Sequence, residues 1–238
     1  MNEAPTAHGS ARDKIAYFRG ERRVLILVLA LAVPLAVAIL LCLPNAGPVF
    51  RVFIIPSGSM APTLLPENYI IVSRASYGYS RFSFDGFELP ITGRWPSLAP
   101  RRGDVVVFRR SHDRRIFQVN RVVGLPGDKI QMINGRLSIN SRLVPREPAP
   151  KMPDPSGGKA DVDVYVERLP ERASYRIIEA AGDSGPFDNT REFVVPEGQL
   201  FVLGDNRDNS IDSREQSPRF GVGFVPIELV IGRVIATF

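Results

Sequence analysis

A run of apolar residues near the start of the chain is the strongest constraint on its fold. Residues 24–43, VLILVLALAVPLAVAILLCL, are uncharged and almost wholly apolar. An α-helix of about twenty residues is about 30 Å long, which matches the hydrocarbon core of a bilayer. Pro34 interrupts the run, but transmembrane helices tolerate proline. A cleavable leader would have an apolar region of only about 7–15 residues, so we predict a transmembrane helix over residues 24–43.

The charges on either side of this run predict its orientation. Five basic residues precede it: Arg12, Lys14, Arg19, Arg22 and Arg23. The first charged residue after it is Arg51. Because basic segments beside a transmembrane helix stay in the cytoplasm, we predict a cytoplasmic N-terminal segment, residues 1–23, and an external body from about residue 45 onward.

The overall charge allows two kinds of partner. A net charge of +5 and a pI near 9.6 are compatible with binding either nucleic acid or anionic lipid. The basic residues are scattered and no nucleic-acid motif accompanies them, so lipid is favoured and nucleic acid is not expected. Cys42 is the single cysteine, which excludes an internal disulfide and a cysteine-based zinc cluster.

The body beyond the apolar run is predicted to be mainly β. Short apolar or alternating segments, separated by Gly and Pro, predict strands within residues 104–108, 116–124 and 191–204. Asn134-Gly135 lies between two alternating segments in residues 130–140, which predicts a hairpin with a type I′ turn. Residues 145–160 are rich in Pro and Gly and predict an exposed loop.

A candidate nucleophile lies just after the apolar run. In FIIPSGSMAPTLLPENYIIV, residues 53–72, prolines stiffen a turn that carries Ser57 and Ser59. A Ser-Gly-Ser sequence in a loop is usually only a turn. There is no GxSxG motif, and the two histidines, His8 and His112, give little support for a Ser-His-Asp triad.

Four longer motifs are more informative than the serine turn alone. They are IPSGSMAPTLL (55–65), RRGDVVVF (101–108), NRVVGLPGD (120–128) and LGDNRDNSIDSR (203–214). In order and spacing they resemble the motif boxes of bacterial type I signal peptidases (leader peptidases). The segment FGVGFVPIELVIGRV, residues 220–234, is similar to the one that ends those enzymes, and the resemblance spans roughly residues 20–238.

The resemblance implies a membrane-bound serine endopeptidase that removes signal peptides from exported preproteins. Its partners would be signal peptides and membrane lipid, without a cofactor or a metal. The protein would cross the inner (cytoplasmic) membrane once, with its body on the periplasmic side. The implied fold is a transmembrane helix followed by an antiparallel β catalytic domain, residues 50–129 and 196–238, with a smaller inserted β subdomain, residues 130–195.

By motif position, the resemblance makes Ser59 the nucleophile. The Ser57 side chain and the Ser59 backbone N–H would form the oxyanion hole. Shallow apolar pockets for an Ala-x-Ala cleavage site would be lined by Phe53, Ile55, Met60, Val107 and Val119. Four of them, Phe53, Ile55, Val107 and Val119, have an equally good interpretation as ordinary strand core.

The acidic stretch GDNRDNSIDSR first suggests a metal loop. Counted from Asp205, however, the third position is Arg207 and the sixth is Ser210, which does not fit a calcium loop. The resemblance instead makes Ser210 a positioning residue for the general base. It assigns supporting roles to Asp205, Asp212, Arg214 and Arg121.

Two positions depart from the family pattern. The family has its general base, a lysine, where this chain has Asn120, and an amide has no nitrogen basic enough to accept the serine proton. Lys129 and His112 are the candidate substitutes. Both a working peptidase and an impaired paralogue that binds signal peptides or regulates export therefore stay open. The second departure is Glu67-Asn68, where Gly-Asp is usual.

Overall fold

The computed structural model describes residues 28, 30–35, 47, 49–171 and 173–238. The predicted cytoplasmic segment, residues 1–23, lies outside these ranges, as does most of the predicted transmembrane helix, residues 24–43. Residues 28 and 30–35 are helical. Within the described ranges, no helix has both the length and the apolar character needed to cross a membrane.

Antiparallel strands dominate the described residues, as the sequence predicted. The strands are β1 Phe50–Ile54, β2 Tyr69–Ser73, β3 Tyr79–Ser80, β4 Arg94–Trp95, β5 Val105–Arg109, β6 Phe117–Gly124, β7 Lys129–Ile133, β8 Arg136–Ile139, β9 Arg142–Leu143, β10 Arg146–Pro153, β11 Asp161–Arg168, β12 Ser174–Glu179, β13 Phe193–Val194, β14 Gln199–Leu203, β15 Val225–Pro226 and β16 Val230–Thr237. Short 3₁₀ turns cover Gly58–Met60, Arg74–Tyr77, Arg207–Asn209 and Ile227–Leu229.

The main sheet has the strand order β1-β2-β16-β5-β6-β14-β15, and each neighbouring pair is antiparallel. Its central strands β5 and β6 are buried on both faces. Val106 and Val122 pack in one apolar cluster, whereas Val107 packs with Ile231 in another. This double burial accounts for the continuous apolar run at residues 105–108 in β5.

The chain between β6 and β14 forms two smaller sheets, with the orders β13-β7-β8-β9 and β10-β11-β12. One apolar cluster joins Val123 and Phe201 of the main sheet to Ile130 and Leu137 of the four-stranded sheet. The core is therefore continuous across the predicted boundary near residue 129, and the division into two domains stays a prediction.

The predicted hairpin at residues 130–140 is confirmed. Asn134 and Gly135 both have positive φ, 47° and 70°, as a type I′ turn requires. The turn sets the register in which Met132 lies opposite Leu137, and both side chains are buried. Local turn chemistry and the alternating pattern thus specify the same structure.

The prediction of a loop over residues 145–160 was wrong in its first half. Residues Arg146–Pro153 form β10, which pairs with β11. Proline cannot donate to a ladder, but β10 is the edge strand of its sheet and only one of its sides is paired. The register also shifts between Ala149 and Met152, around Pro150.

Candidate active site

The turn that carries Ser59 is fastened to the chain that follows β14. Ser59 lies in the 3₁₀ turn Gly58–Met60, just after β1. The Asn206 backbone N–H donates to the Ser59 carbonyl at 3.0 Å, and its side-chain Nδ2 donates to the Gly58 carbonyl at 3.1 Å. The Ser57 Oγ lies 3.3 Å from the Ser59 Oγ. Both serine hydroxyls are therefore held by a backbone with little freedom to move.

A glycine allows this close approach. A Cβ at Gly204 would lie 2.2 Å from the Ser210 Oγ and 2.7 Å from the Ser59 carbonyl oxygen. No side chain fits at those distances, so the Gly-Asp-Asn sequence at residues 204–206 lets Ser210 and the Ser59 turn pack against the same piece of backbone.

A cavity of about 530 Å³ brings five of the predicted site residues together: Ser57, Ser59, Val119, Asn120 and Ser210. The other lining residues are Pro56, Phe117, Gln118, Phe187, Asp208, Asn209 and Ile211. Among the lining residues, Asp208 is the one with an ionisable side chain. The cavity therefore offers hydroxyl and amide groups, but neither a lysine nor a histidine.

Asn120 occupies an interior position. It lies on β6 opposite Val106 and is 2% exposed. Its Oδ1 has no hydrogen-bond partner among the described residues, and the Ser210 Oγ is also buried without one. Leaving a buried polar atom unpaired typically costs about 1–3 kcal/mol. The wall of the cavity therefore has two unsatisfied oxygens beside the Ser59 turn.

The two candidate substitutes for the general base do not line the cavity. Lys129 is exposed at the start of β7, and its Nζ lies 3.4 Å from the Glu192 Oε1. His112 is exposed in the connection between β5 and β6. Neither side chain is positioned to accept a proton from Ser59.

A buried ion pair is formed by Arg121, the residue next to Asn120, and Asp205. Arg121 donates to both carboxylate oxygens of Asp205, at 2.8 and 2.6 Å, and to the Thr63 Oγ1 at 3.1 Å. Burial alone would lower the pKa of the Arg121 guanidinium, but the charge and hydrogen bonds of Asp205 outweigh it and raise that pKa. Arg121 therefore remains charged and links β6, the chain after β14 and the segment after Ser59.

A second buried pair closes the loop that carries Ser210. Arg214 Nε lies 2.9 Å from Asp212 Oδ1, and the Gly204 N–H donates to Asp212 Oδ2 at 3.0 Å. Asp212 and Arg214 are 1% and 4% exposed, respectively. The loop from residue 204 to residue 214 is thus closed on itself by hydrogen bonds.

Comparison with known proteins decides the family. Residues 25–238 match the family described as signal peptidase, peptidase S26. The chain belongs to this family. It is 40% identical over 188 residues to signal peptidase I of Rickettsia typhi, covering 76% of this chain and 69% of that one. It is 39% identical over 188 residues to signal peptidase I of Rickettsia massiliae, covering 76% and 68%.

A solved structure of a signal peptidase I from Enterococcus faecalis V583 is also similar, with 24% identity and a TM-score of 0.33. The alignment covers 58% of this chain and 98% of that one. The assignment rests on the family match and the sequence relatives. This chain is of the signal peptidase I type, a group of serine-type peptidases.

In this member of the family, the apolar residues predicted to contact substrate pack together near Ser59. Ile55, Met60 and Val107 are buried in one cluster, against which Phe53 and Val119 pack with partial exposure. Of the five, Val119 lines the cavity. The three buried side chains contribute to the core of the fold, and the substrate role stays a prediction.

Several lining residues were not predicted from the sequence. Phe187 comes from the long connection between β12 and β13, about 130 residues from Ser59 along the chain. Nothing in its local sequence marks it. Asp208 and Asn209 lie within the GDNRDNS motif, whose position beside Ser210 was a usable signal.

Proposed function

We propose that the chain is a membrane-tethered serine endopeptidase of the signal peptidase I type that cleaves signal peptides slowly. Ser59 would be the nucleophile, and the Ser57 hydroxyl and the Ser59 N–H would donate to the oxyanion that forms on the scissile carbonyl. The 3.3 Å separation of the two serine Oγ atoms inside one cavity supports this assignment.

Slow cleavage is expected because Asn120 is buried in the same cavity as Ser59. When the Ser59 Oγ attacks the carbonyl carbon, its proton must pass to an acceptor. The Asn120 amide has no nitrogen of useful basicity, and Lys129 and His112 lie elsewhere. General acid–base catalysis typically contributes about 10²–10⁴ in rate, so a loss of this size is expected.

The expected substrate is an exported preprotein with small residues before the cleavage site. Phe53, Ile55, Met60, Val107 and Val119 would line the pockets that admit alanine side chains and exclude larger ones by clash. A transmembrane anchor over residues 24–43 would confine the enzyme to the surface at which the substrate's own apolar segment presents its cleavage site. Confinement raises the effective concentration of the two partners.

The test compares variants of the full chain in detergent on an Ala-x-Ala preprotein. Asn120→Lys is expected to raise kcat by about 10²–10⁴, because it supplies the missing base. Asn120→Met is the matched control, since Met has nearly the length of Lys but no amine, and it should stay slow. Wild-type cleavage as fast as that of Asn120→Lys would refute the role of Asn120. Cleavage that survives Ser59→Ala would refute the nucleophile.

A second candidate function is signal-peptide binding without cleavage, as in a regulatory paralogue. The lack of a lysine or histidine among the lining residues favours it. Wild type and Ser59→Ala would then bind a fluorescent signal peptide with the same Kd, and no cleaved product would accumulate on long incubation. Slow release of the correctly cut product by wild type, absent in Ser59→Ala, would favour the enzyme.

A further inference from the structure

Three carboxylates from three different elements meet beside the cavity. Glu179 ends β12, Asp188 lies in the connection between β12 and β13, and Asp208 lies in the 3₁₀ turn Arg207–Asn209. One oxygen of each lies within 4.8 Å of the other two. We call these residues the carboxylate triad. It shares only Asp208 with the acidic motif whose spacing failed the calcium-loop pattern.

Two members of the triad are buried, Asp208 is partly exposed, and the hydrogen bonding of the group is incomplete. Glu179 and Asp188 are each 1% exposed. Both carboxylate oxygens of Glu179, and the Oδ1 of Asp188, have no hydrogen-bond partner in the described part of the chain. Two of the other oxygens accept backbone hydrogen bonds: Gly185 N–H donates to Asp188 Oδ2, and Ala181 N–H donates to Asp208 Oδ2 at 2.7 Å. A buried carboxylate with neither oxygen bonded is rare in a folded protein.

The neighbouring arginines do not balance this charge. Arg146 Nη1 lies 3.6 Å from the Glu179 Oε1, beyond hydrogen-bond distance, and both its Nη atoms donate to Asp183 at 2.9–3.0 Å. Arg207 is paired with Glu167. Both arginines are thus hydrogen-bonded to carboxylates outside the triad.

We propose that Glu179, Asp188 and Asp208 bind a hard divalent cation, Ca²⁺ or Mg²⁺. Both ions take carboxylate oxygens as ligands and complete their coordination with water. A divalent cation would supply positive charge directly to these three carboxylates. The ion would also give the Glu179 oxygens the partner that they lack.

Such an ion would join two walls of the cavity. Phe187, next to Asp188, lines the cavity from the β12–β13 connection, and Asp208 and Asn209 line it from the 3₁₀ turn. A cation held by Asp188 and Asp208 would fix these two segments to each other and to the end of β12. Its expected effect is on thermal stability, since none of the three carboxylates belongs to the proposed nucleophile or oxyanion hole.

Thermal unfolding of the EDTA-treated full chain in detergent tests this site. Adding CaCl₂ or MgCl₂ up to about 10 mM should raise the Tm saturably by several degrees, relative to KCl of equal ionic strength. Calorimetric titration of wild type with each metal should fit one site. This readout does not depend on proteolysis, so it can succeed or fail independently of the proposed function. No saturable response of wild type to either metal would overturn the site.

Variants assign the response to the triad. Glu179→Gln should abolish the metal-dependent rise in Tm, and in EDTA it should be at least as stable as wild type because it removes a buried charge. Glu197→Gln is the matched control, since Glu197 lies in an exposed turn and its loss should leave the response intact. Asp208→Asn provides a second test if Glu179→Gln is poorly folded. A full metal response in both Glu179→Gln and Asp208→Asn would refute the assignment.

Discussion

The side-chain oxygens of Asn120 and Ser210 are both buried in the wall of the cavity that contains Ser59, and neither has a hydrogen-bond partner among the described residues. The Ser210 hydroxyl oxygen can accept a hydrogen bond from an N–H donor, such as an ammonium group. An amine in this part of the cavity would therefore give the Ser210 oxygen a partner that Asn120 does not provide.

We predict that a small amine can partly supply that group. Asn120→Ala removes the amide and opens space that n-propylamine can enter, so the amine should raise the cleavage rate by about tenfold or more at alkaline pH. Initial rates on an Ala-x-Ala preprotein measure the effect. Tetramethylammonium chloride at equal ionic strength is the control, because it carries the charge but cannot accept a proton. Equal rates in the two salts would contradict the prediction, as would an amine effect in the Ser59→Ala/Asn120→Ala double variant.

The Arg121–Asp205 pair gives a prediction about stability. Asp205→Asn leaves the Arg121 guanidinium buried without a counter-charge, so the free energy of unfolding should fall by about 3–5 kcal/mol. Urea unfolding followed by circular dichroism measures the change. The double variant Arg121→Met/Asp205→Leu should be less destabilised than Asp205→Asn, because it leaves no unpaired charge. If the stability lost in the double variant equals the sum of the losses in Arg121→Met and Asp205→Leu, the two residues are not coupled.

Local chemistry explains which elements could be predicted from the sequence. The Asn134-Gly135 hairpin needs only two residues that tolerate positive φ between alternating segments, and both signals are contiguous. The β10 strand could not be predicted in the same way. Its prolines usually indicate a loop, and only its position at the edge of a sheet, which depends on pairing with β11, makes them compatible with a strand.

The residues that line the cavity also divide into those with a local sequence signal and those without one. Ser57, Ser59, Asn120 and Ser210 were expected together because each lies in a recognisable motif. Phe187 enters through a connection with no such motif, and its place depends on the packing of the smaller sheets. The carboxylate triad is similarly non-local, since Glu179, Asp188 and Asp208 meet only after β12 and β14 are in place.

Glu67, at a position where the family usually has glycine, gives a prediction about backbone strain. It is exposed and has a φ of +68°, a left-handed conformation that costs a residue with a Cβ about 1–2 kcal/mol. Glycine, usual here in the family, avoids that strain but loses more entropy on folding. We expect Glu67→Gly to raise the free energy of unfolding by up to about 1 kcal/mol. Glu67→Ala keeps the Cβ while removing the charge, and an equal gain in that variant would exclude backbone strain as the cause.

Asp128, at the end of the NRVVGLPGD motif, gives a prediction about pH. Its Oδ2 accepts from Arg102 Nη1 at 2.8 Å and from the Leu125 N–H at 2.7 Å, and its Oδ1 accepts from Asn140 Nδ2 at 2.9 Å. Burial opposes the charged form, but these hydrogen bonds outweigh it and lower the pKa of Asp128 below its ordinary value. The charged carboxylate thus stabilises the fold.

Because the pKa of Asp128 is lower in the folded state, its contribution is complete above the unfolded-state pKa of about 3.9 and disappears as the pH falls through the folded value. Asp128→Asn should therefore lower the free energy of unfolding by about 1–3 kcal/mol at pH 7, and the gap to wild type should narrow below about pH 4. Urea unfolding of both proteins across this range measures it. Asp161→Asn, at an exposed position at the start of β11, should match wild type at pH 7. If the difference in unfolding free energy between wild type and Asp128→Asn stays constant down to pH values below the folded pKa, the charge of Asp128 does not stabilise the fold. The shape and hydrogen bonds of its side chain would then do so.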